Sequence, residues 1–339
     1  MPIKEAPILD LWDKRLLYAL DGNARASLSE IGDALKRSPQ WVKFRLERLR
    51  EKGVLTHLYP LVEYRALGWM RAGILLRLHD VPPQEELKFL NSCYQESLIQ
   101  SVYRCEGEYD LYLGAYAHNI DDLDAWVASF KLAHHAILRS LDITVETGMC
   151  KFRRHYLLGE RAGEEEGMWI GRKKDSGAPV FLDAIDLAIL DALNADPRIS
   201  ALDMAKQMHA GKDATLYRLR KLLKSGVVKG FSVQLNQRNF PVQSHLILLQ
   251  CAGMDKQKQE ELVQYCRLSD KVVRLSCGLG SYDYLIEAEV ADRNAFRWFF
   301  KELKHRFAPH ICRAQALQVY SLDKCRTYPT SMAQNDGSK

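Results

Sequence analysis

Apolar side chains recur at helical spacing near the start of the chain, at Leu9, Trp12, Leu16, Leu17 and Leu20, and Asp10 or Asp13 suits the first turn. A second short helix follows Ser27, an N-cap that forms a capping box with Glu30, and Ile31 and Leu35 make its apolar face. Ser38 and Pro39 open a third helix, with proline where its missing N–H costs nothing, and Val42, Leu46 and Leu49 face inward. Gly53 ends this helix and Val54 to Leu58 reads as a strand. Three short helices with a tight connection before the third make a helix-turn-helix, here with a strand appended.

Downstream the period changes. Arg71–Leu78 alternates weakly around Ile74, Leu75 and Leu76, and Pro82 and Pro83 break it. Glu85–Cys93 predicts a helix, Ile99–Cys105 and Leu111–Tyr116 a hairpin around Gly107, Asp121–Lys131 a helix and Leu141–Thr147 a closing strand. The order β-α-β-β-α-β is the ferredoxin-like motif.

The whole pattern then repeats. Shifted by 173 residues, Leu9, Asp10 and Asp13 fall on Leu182, Asp183 and Asp186; Arg45, Leu46 and Leu49 fall on Arg218, Leu219 and Leu222; Gly107, Tyr109 and Asp110 fall on Gly280, Tyr282 and Asp283. The chain is a tandem duplication of one α+β unit. The second helix-turn-helix runs through Leu182–Asn194, Ala201–His209 and Lys212–Ser225 to a strand at Val227–Val233. Expected domains are a winged-helix-like helix-turn-helix at 8–58 and 181–233, and a ferredoxin-like domain at 69–158 and 242–325. A solvated linker is expected at 159–180, around Glu164–Glu166 and Arg172–Lys174, and a frayed tail at 326–339.

Composition is that of a globular protein, with 339 residues, 47% hydrophobic and 27% charged. The net charge of +5 is too mild to identify a partner, but its distribution is informative. Residues 36–52 carry +5 and residues 206–229 carry +6, so everything else sums to −6. Two separate helices with the same one-sided bias point to phosphate contact rather than a mixed solvated face. No apolar run is long enough for a transmembrane helix, and no signal peptide is read at the start, so a cytoplasmic location is expected. Eight scattered cysteines without metal-ligand spacing read as reduced thiols, with no metal or cofactor expected.

The stretch from Ser38 through Val42, Arg45, Leu46 and Leu49 to Gly53-Val54-Leu55 resembles the recognition-helix signature of the leucine-responsive Lrp/AsnC transcription regulators. Leu9-Asp10-x-x-Asp13 upstream and Gly107-x-Tyr109-Asp110 downstream extend the likeness over nearly the whole first unit, and the second unit matches at the corresponding positions. It departs where Gly211 replaces Ser38 and Thr215 replaces Val42, which removes a capping oxygen. The resemblance implies double-stranded DNA as partner, a small-molecule effector such as an amino acid, and homo-oligomers formed through the sheet domains. Two units in one chain would make a covalent pseudo-dimer reading related but non-identical half-sites.

On that reading the DNA-facing residues are Ser38, Gln40, Trp41, Lys43, Arg45 and Arg48, and in the second copy Lys212, Asp213, Arg218, Arg220 and Lys221. Arg45 and Arg218 either contact DNA or brace the fold; Trp41 either faces DNA or packs on the wing. The resemblance puts the effector near Gly107, Tyr109 and Asp110 and near Gly280, Tyr282 and Asp283, although both glycines also suit a hairpin turn and both aspartates a turn cap. A second function class is open. Sirohaem decarboxylases share the two-domain layout and come as fused pairs, and His134, His135 and His155 beside Arg153 and Arg154 could be cast as tetrapyrrole contacts. No nucleophile–base spacing, phosphate-binding glycine loop or metal cluster supports an enzyme, so no catalytic residue is assigned.

Overall fold

The computed structural model describes residues 9–159, 166–172, 180–236 and 239–328. The first helix-turn-helix comprises α1 (Leu11–Gly22), α2 (Leu28–Leu35) and α3 (Pro39–Glu51), followed by β1 (Leu55–Val62). Asp10 and Ser27 form capping boxes at α1 and α2, and Ser38 Oγ accepts from the Trp41 N–H at α3. The first sheet domain contains β2 (Met70–Leu78), α4 (Pro83–Gln95), β3 (Ile99–Glu106), β4 (Leu111–Ala117), α5 (Ile120–Ala133) and β5 (Leu138–Lys151). A short strand, β6 (Met168–Ile170), follows. The second unit repeats the series as α6 (Ala184–Ala195), α7 (Ala201–Gln207), α8 (Lys212–Lys224), β7 (Val228–Leu235), β8 (Gln243–Cys251), α9 (Lys256–Leu268), β9 (Val272–Gly280), β10 (Tyr284–Val290), α10 (Arg293–Arg306) and β11 (Ile311–Cys325).

The appended strands do not form wings within their own domains. β1 pairs antiparallel with β7, so one two-stranded ribbon joins the two helix-turn-helix domains, and their apolar faces merge into a single core. The join is reciprocal: Arg25 donates to the carbonyls of Pro197 and Ile199, while Arg198 donates to that of Ala24.

The two ferredoxin-like sheets fuse as well. Within each unit the strands take the β5-β2-β4-β3 or β11-β8-β10-β9 order; β3 then pairs with β11 and β5 with β9, closing a ring. Leu75, Tyr112, Leu246, Leu285 and Leu317 fill its interior, whereas Ile74, Leu76, Ile247 and Leu249 pack outward under the helices. Burial on both faces explains why β2 is a continuous apolar run and not a clean alternation. The sheet domains thus pair inside one chain.

Gly107 and Gly280 mark where each β-hairpin crosses the other unit's long strand. Their φ values are +143° and +147°, and a Cβ on Gly280 would lie 2.3 Å from the Ile143 carbonyl oxygen. Conformation requires glycine at both positions, and space requires it at Gly280 as well.

Two expectations for the connecting segments change. Met168–Ile170 adds to β5 as strand β6 and Ile170 is buried, so part of the expected linker belongs to the sheet. In the expected tail, Tyr328 packs against α6, its hydroxyl on Asp191, and is buried. Glu164, Glu165, Lys173, Lys174 and the tail beyond Tyr328 lie outside the described residues.

A buried ion network fastens the helix-turn-helix pair to the ring. Arg154 Nη1 lies 2.7 Å from Asp21 Oδ1 at the end of α1, and its Nε lies 2.9 Å from Glu289 Oε2 on β10. Lys151 Nζ is 3.0 Å from the same Asp21 oxygen, and Arg154 also donates to the Val233 carbonyl on the ribbon. At the positions 173 residues on, the contacts persist without most of the charge: Thr327 Oγ1 meets Asn194 Oδ1 at 3.3 Å, and Tyr116 donates to the Thr327 carbonyl. Removing one member of a buried ionic network strands the others. Asp21→Asn is therefore expected to lower the unfolding free energy by about 3–5 kcal/mol, read from urea melts at neutral pH. An unchanged midpoint would remove the network from the supports of the fold.

Candidate nucleic-acid interface

Each recognition helix has an inward apolar row and an outward polar front. On α3, Val42, Leu46 and Leu49 are buried while Gln40 and Lys43 are exposed; on α8, Thr215, Leu219 and Leu222 are buried while Lys212, Asp213, Arg220 and Lys221 are exposed. The connection before each helix places Lys36 and His209, a matched pair, in the left-handed region at φ +54° and +51°. Gly211 offers no capping oxygen, and Thr215 instead returns its hydroxyl to the Gly211 carbonyl at 3.0 Å.

The arginines divide differently from the lysines. Arg45 Nη1 lies 2.9 Å from the buried Asp13 carboxylate and also bonds Asp10, and Arg48 Nη2 lies 2.7 Å from Asp13. Arg218 makes the equivalent pair with Asp183 and Asp186 at 2.6 and 3.0 Å. These arginines brace α3 and α8 against α1 and α6. Lys221, at the position of Arg48, makes no ion pair among the described residues. Trp41 packs edge-on against Trp12 at 5.8 Å, and the Arg37 guanidinium covers Trp12 at 4.0 Å. Lys43 meets only Glu47, at 3.9 Å, with both side chains more than half exposed.

Sequence reasoning passed over one feature of both fronts. Phe44 and Tyr217 occupy the same repeat position and are 63% and 69% exposed. An aromatic ring held in water on a helix front can make apolar contact with a thymine methyl. The available signal was an aromatic residue standing off the buried row in both copies.

The residues expected near an effector have structural tasks. Asp110 accepts from the Leu78 N–H at 2.7 Å and Asp283 from the Cys251 N–H at 2.6 Å, each tying down the end of a strand. The Tyr109 hydroxyl donates to Asp142, and Tyr282 is fully buried in the ring interior. The histidines cast for an enzyme fall in two places, His134 and His135 together at the C-terminal end of α5 and His155 beyond β5. His134 packs edge-on against Phe89 and Phe130, His135 is exposed, and His155 is buried against Tyr18. Among the described residues, no group of three or more His, Cys, Asp or Glu could hold a metal ion, and no helix is long and apolar enough to cross a membrane.

Burial opposes ionisation of Asp10, but hydrogen bonds from Arg45 and the Asp13 N–H outweigh it and hold the carboxyl at about 2. A carboxyl lowered in the folded state adds stability above its unfolded value near 3.8, and that contribution is lost as the pH falls toward 2. Arg45→Met, which also takes a partner from the buried Asp13, should cost about 1–2 kcal/mol once solvent screening at the half-exposed Asp10 is allowed for, and should flatten the acid limb of a pH–stability curve. Lys43→Met should leave both unchanged.

Comparison with known proteins agrees with this geometry. Residues 9–50 match the AsnC-type helix-turn-helix domain and residues 182–229 a winged helix-turn-helix DNA-binding domain. The HTH-type transcriptional regulator Ptr1 of Methanocaldococcus jannaschii is 35% identical over 121 residues, which is 36% of this chain and 80% of that protein. The leucine-responsive regulatory protein of Escherichia coli is 28% identical over 119 residues, 34% of this chain and 71% of its own. A crystal structure of the siroheme decarboxylase NirDL shares the fold over 94% of each chain, with a TM-score of 0.60 and 14% identity. The regulators match over about one unit, and this chain carries two: it belongs to the Lrp/AsnC family as a tandem duplication of the family's helix-turn-helix and sheet domains.

Proposed function

We propose that the protein is a sequence-specific transcription regulator that binds double-stranded DNA through α3 and α8 and responds to a small-molecule effector. The observation that carries this reading is the pair of solvent-facing recognition helices fixed in one body by the β1–β7 ribbon. After the bracing arginines are set aside, Lys43 and Arg50 remain exposed on α3, and Lys212, Arg220, Lys221 and Lys224 on α8. Gln40 and Lys43 face the bases in one half-site, Lys212 and Arg220 in the other, with Phe44 and Tyr217 beside them. The protein acts without catalysis, in the cytoplasm. Chains associate through the outer faces of the sheet domains, where Leu132 and Trp298 stand exposed.

The whole-chain fold shared with NirDL favours a second reading, a tetrapyrrole enzyme. The exposed basic fronts of α3 and α8, suited to phosphate contact, favour the regulator.

Genomic DNA selection with the purified protein at two salt concentrations decides between them. The regulator reading expects one imperfectly symmetric motif with affinity falling steeply in salt. Lys43→Ala and Lys212→Ala should each relax the preference of a different half-site and reduce the salt slope by about one. Failure to recover a motif, with weak binding even at low salt, sinks the reading.

A further inference from the structure

The tandem repeat creates two equivalent clefts where a helix-turn-helix meets the end of the ring, and the chain treats them differently. The first lies beside Asp21, Leu61 and Lys151, and β6 occupies it by pairing with Met149–Lys151 of β5. Only about 120 Å³ remains there. The second lies beside the matching Asn194, Gln234 and Lys324. No strand among the described residues flanks the corresponding Leu322–Lys324 of β11 on that side, and an open cavity of about 1020 Å³ remains.

The charge differs in the same sense. In the first cleft Asp21 neutralises Lys151. In the second, asparagine replaces that aspartate, and Lys324, only 8% exposed, forms no ion pair among the described residues; its Nζ donates to the Glu96 carbonyl. Arg326 lines the same cavity, as does His57, which burial and the nearby Arg326 push toward its neutral form. The cavity's two carboxylates are held by hydroxyls, Asp191 by Tyr328 and Asp323 by Tyr94, and neither forms an ion pair with Lys324 among the described residues. Burial, with Arg326 close by, depresses the Lys324 ammonium to about 8 against the opposing pull of the Glu96 carboxylate, which forms no ion pair with it.

We infer that this second cleft is the chain's single site for a carboxylate-bearing small molecule, whose carboxylate takes the place at Lys324 that Asp21 holds at Lys151. The volume suits a ligand of metabolite size or larger. The inference deepens the effector half of the proposed function.

It is tested by calorimetric titration of the full-length protein without DNA, so that failure of operator selection leaves the result untouched. The probes are the proteinogenic L-amino acids, succinate, citrate and iron-uroporphyrin III, which separate amino-acid, simple polycarboxylate and tetrapyrrole sources of the same group. At least one probe should bind with one site per chain. Lys324→Gln should weaken it by roughly tenfold or more. Asn194→Asp, which restores a carboxylate in the same cleft at the repeat position of Asp21, should weaken it as much, with an unchanged thermal midpoint showing that the fold is intact. Two sites per chain, binding indifferent to both substitutions, or no binding by any probe overturns the inference.

Discussion

The architecture depends on the buried meeting of Asp21, Lys151, Arg154 and Glu289. Asp21 belongs to the first helix-turn-helix and Glu289 to the second sheet, with Lys151 and Arg154 on the segment that leaves the first. Burying such charges is costly unless each is paired and hydrogen-bonded, so the arrangement tolerates little displacement. Arg154 also reaches the Val233 carbonyl, and Ser232 bonds Asp21, so the ribbon is tied into the same knot. Orientation of the recognition helices relative to the ring is set there.

Duplication within one chain allowed this joint to diverge. In a dimer of identical subunits both joints would be the same; here one is ionic, and its counterpart is the neutral set of Asn194, Thr327 and Tyr116. The same freedom separates the recognition helices, one capped by Ser38 and the other started by Gly211. It also separates the clefts, since a single intervening segment can supply β6 to only one of them.

Much of this was legible in the sequence, and the failures have physical causes. The helices of both helix-turn-helix domains follow from local signals, namely apolar spacing and the side-chain caps at Asp10, Ser27 and Ser38. The β1–β7 pairing and the closure of the ring through β3–β11 and β5–β9 do not, because they are long-range registers between units that each form a complete local motif. Arg45 and Arg218 illustrate a different limit. Net charge on a helix counts them toward DNA, but the aspartates that hold them lie 35 and 32 residues earlier, within the Leu-Asp-x-x-Asp motif. Charge counting does not distinguish a cation already paired across the core from one facing solvent. The exposed rings of Phe44 and Tyr217 escaped notice for the converse reason, since an apolar residue is assigned to the core by default.

The asymmetry of the joints bears on how ligand and DNA would communicate under the proposed function. A ligand shifts an equilibrium only by its differential affinity for the two states, and each tenfold difference is worth about 1.4 kcal/mol. The ionic joint leaves its side of the molecule little freedom at that scale, because separating its charges costs several times as much. The neutral joint opposes movement with single hydrogen bonds, each worth about 1 kcal/mol net. The open cleft lies beside this weaker joint, bounded by Asn194 of α6 and by His57 and Gln234 of the ribbon. α6 is braced to α8 through Arg218, so a carboxylate at Lys324 sits two contacts away from the second recognition helix. An effector there would act on α8 more than on α3, changing the balance between two unlike half-sites rather than releasing both together.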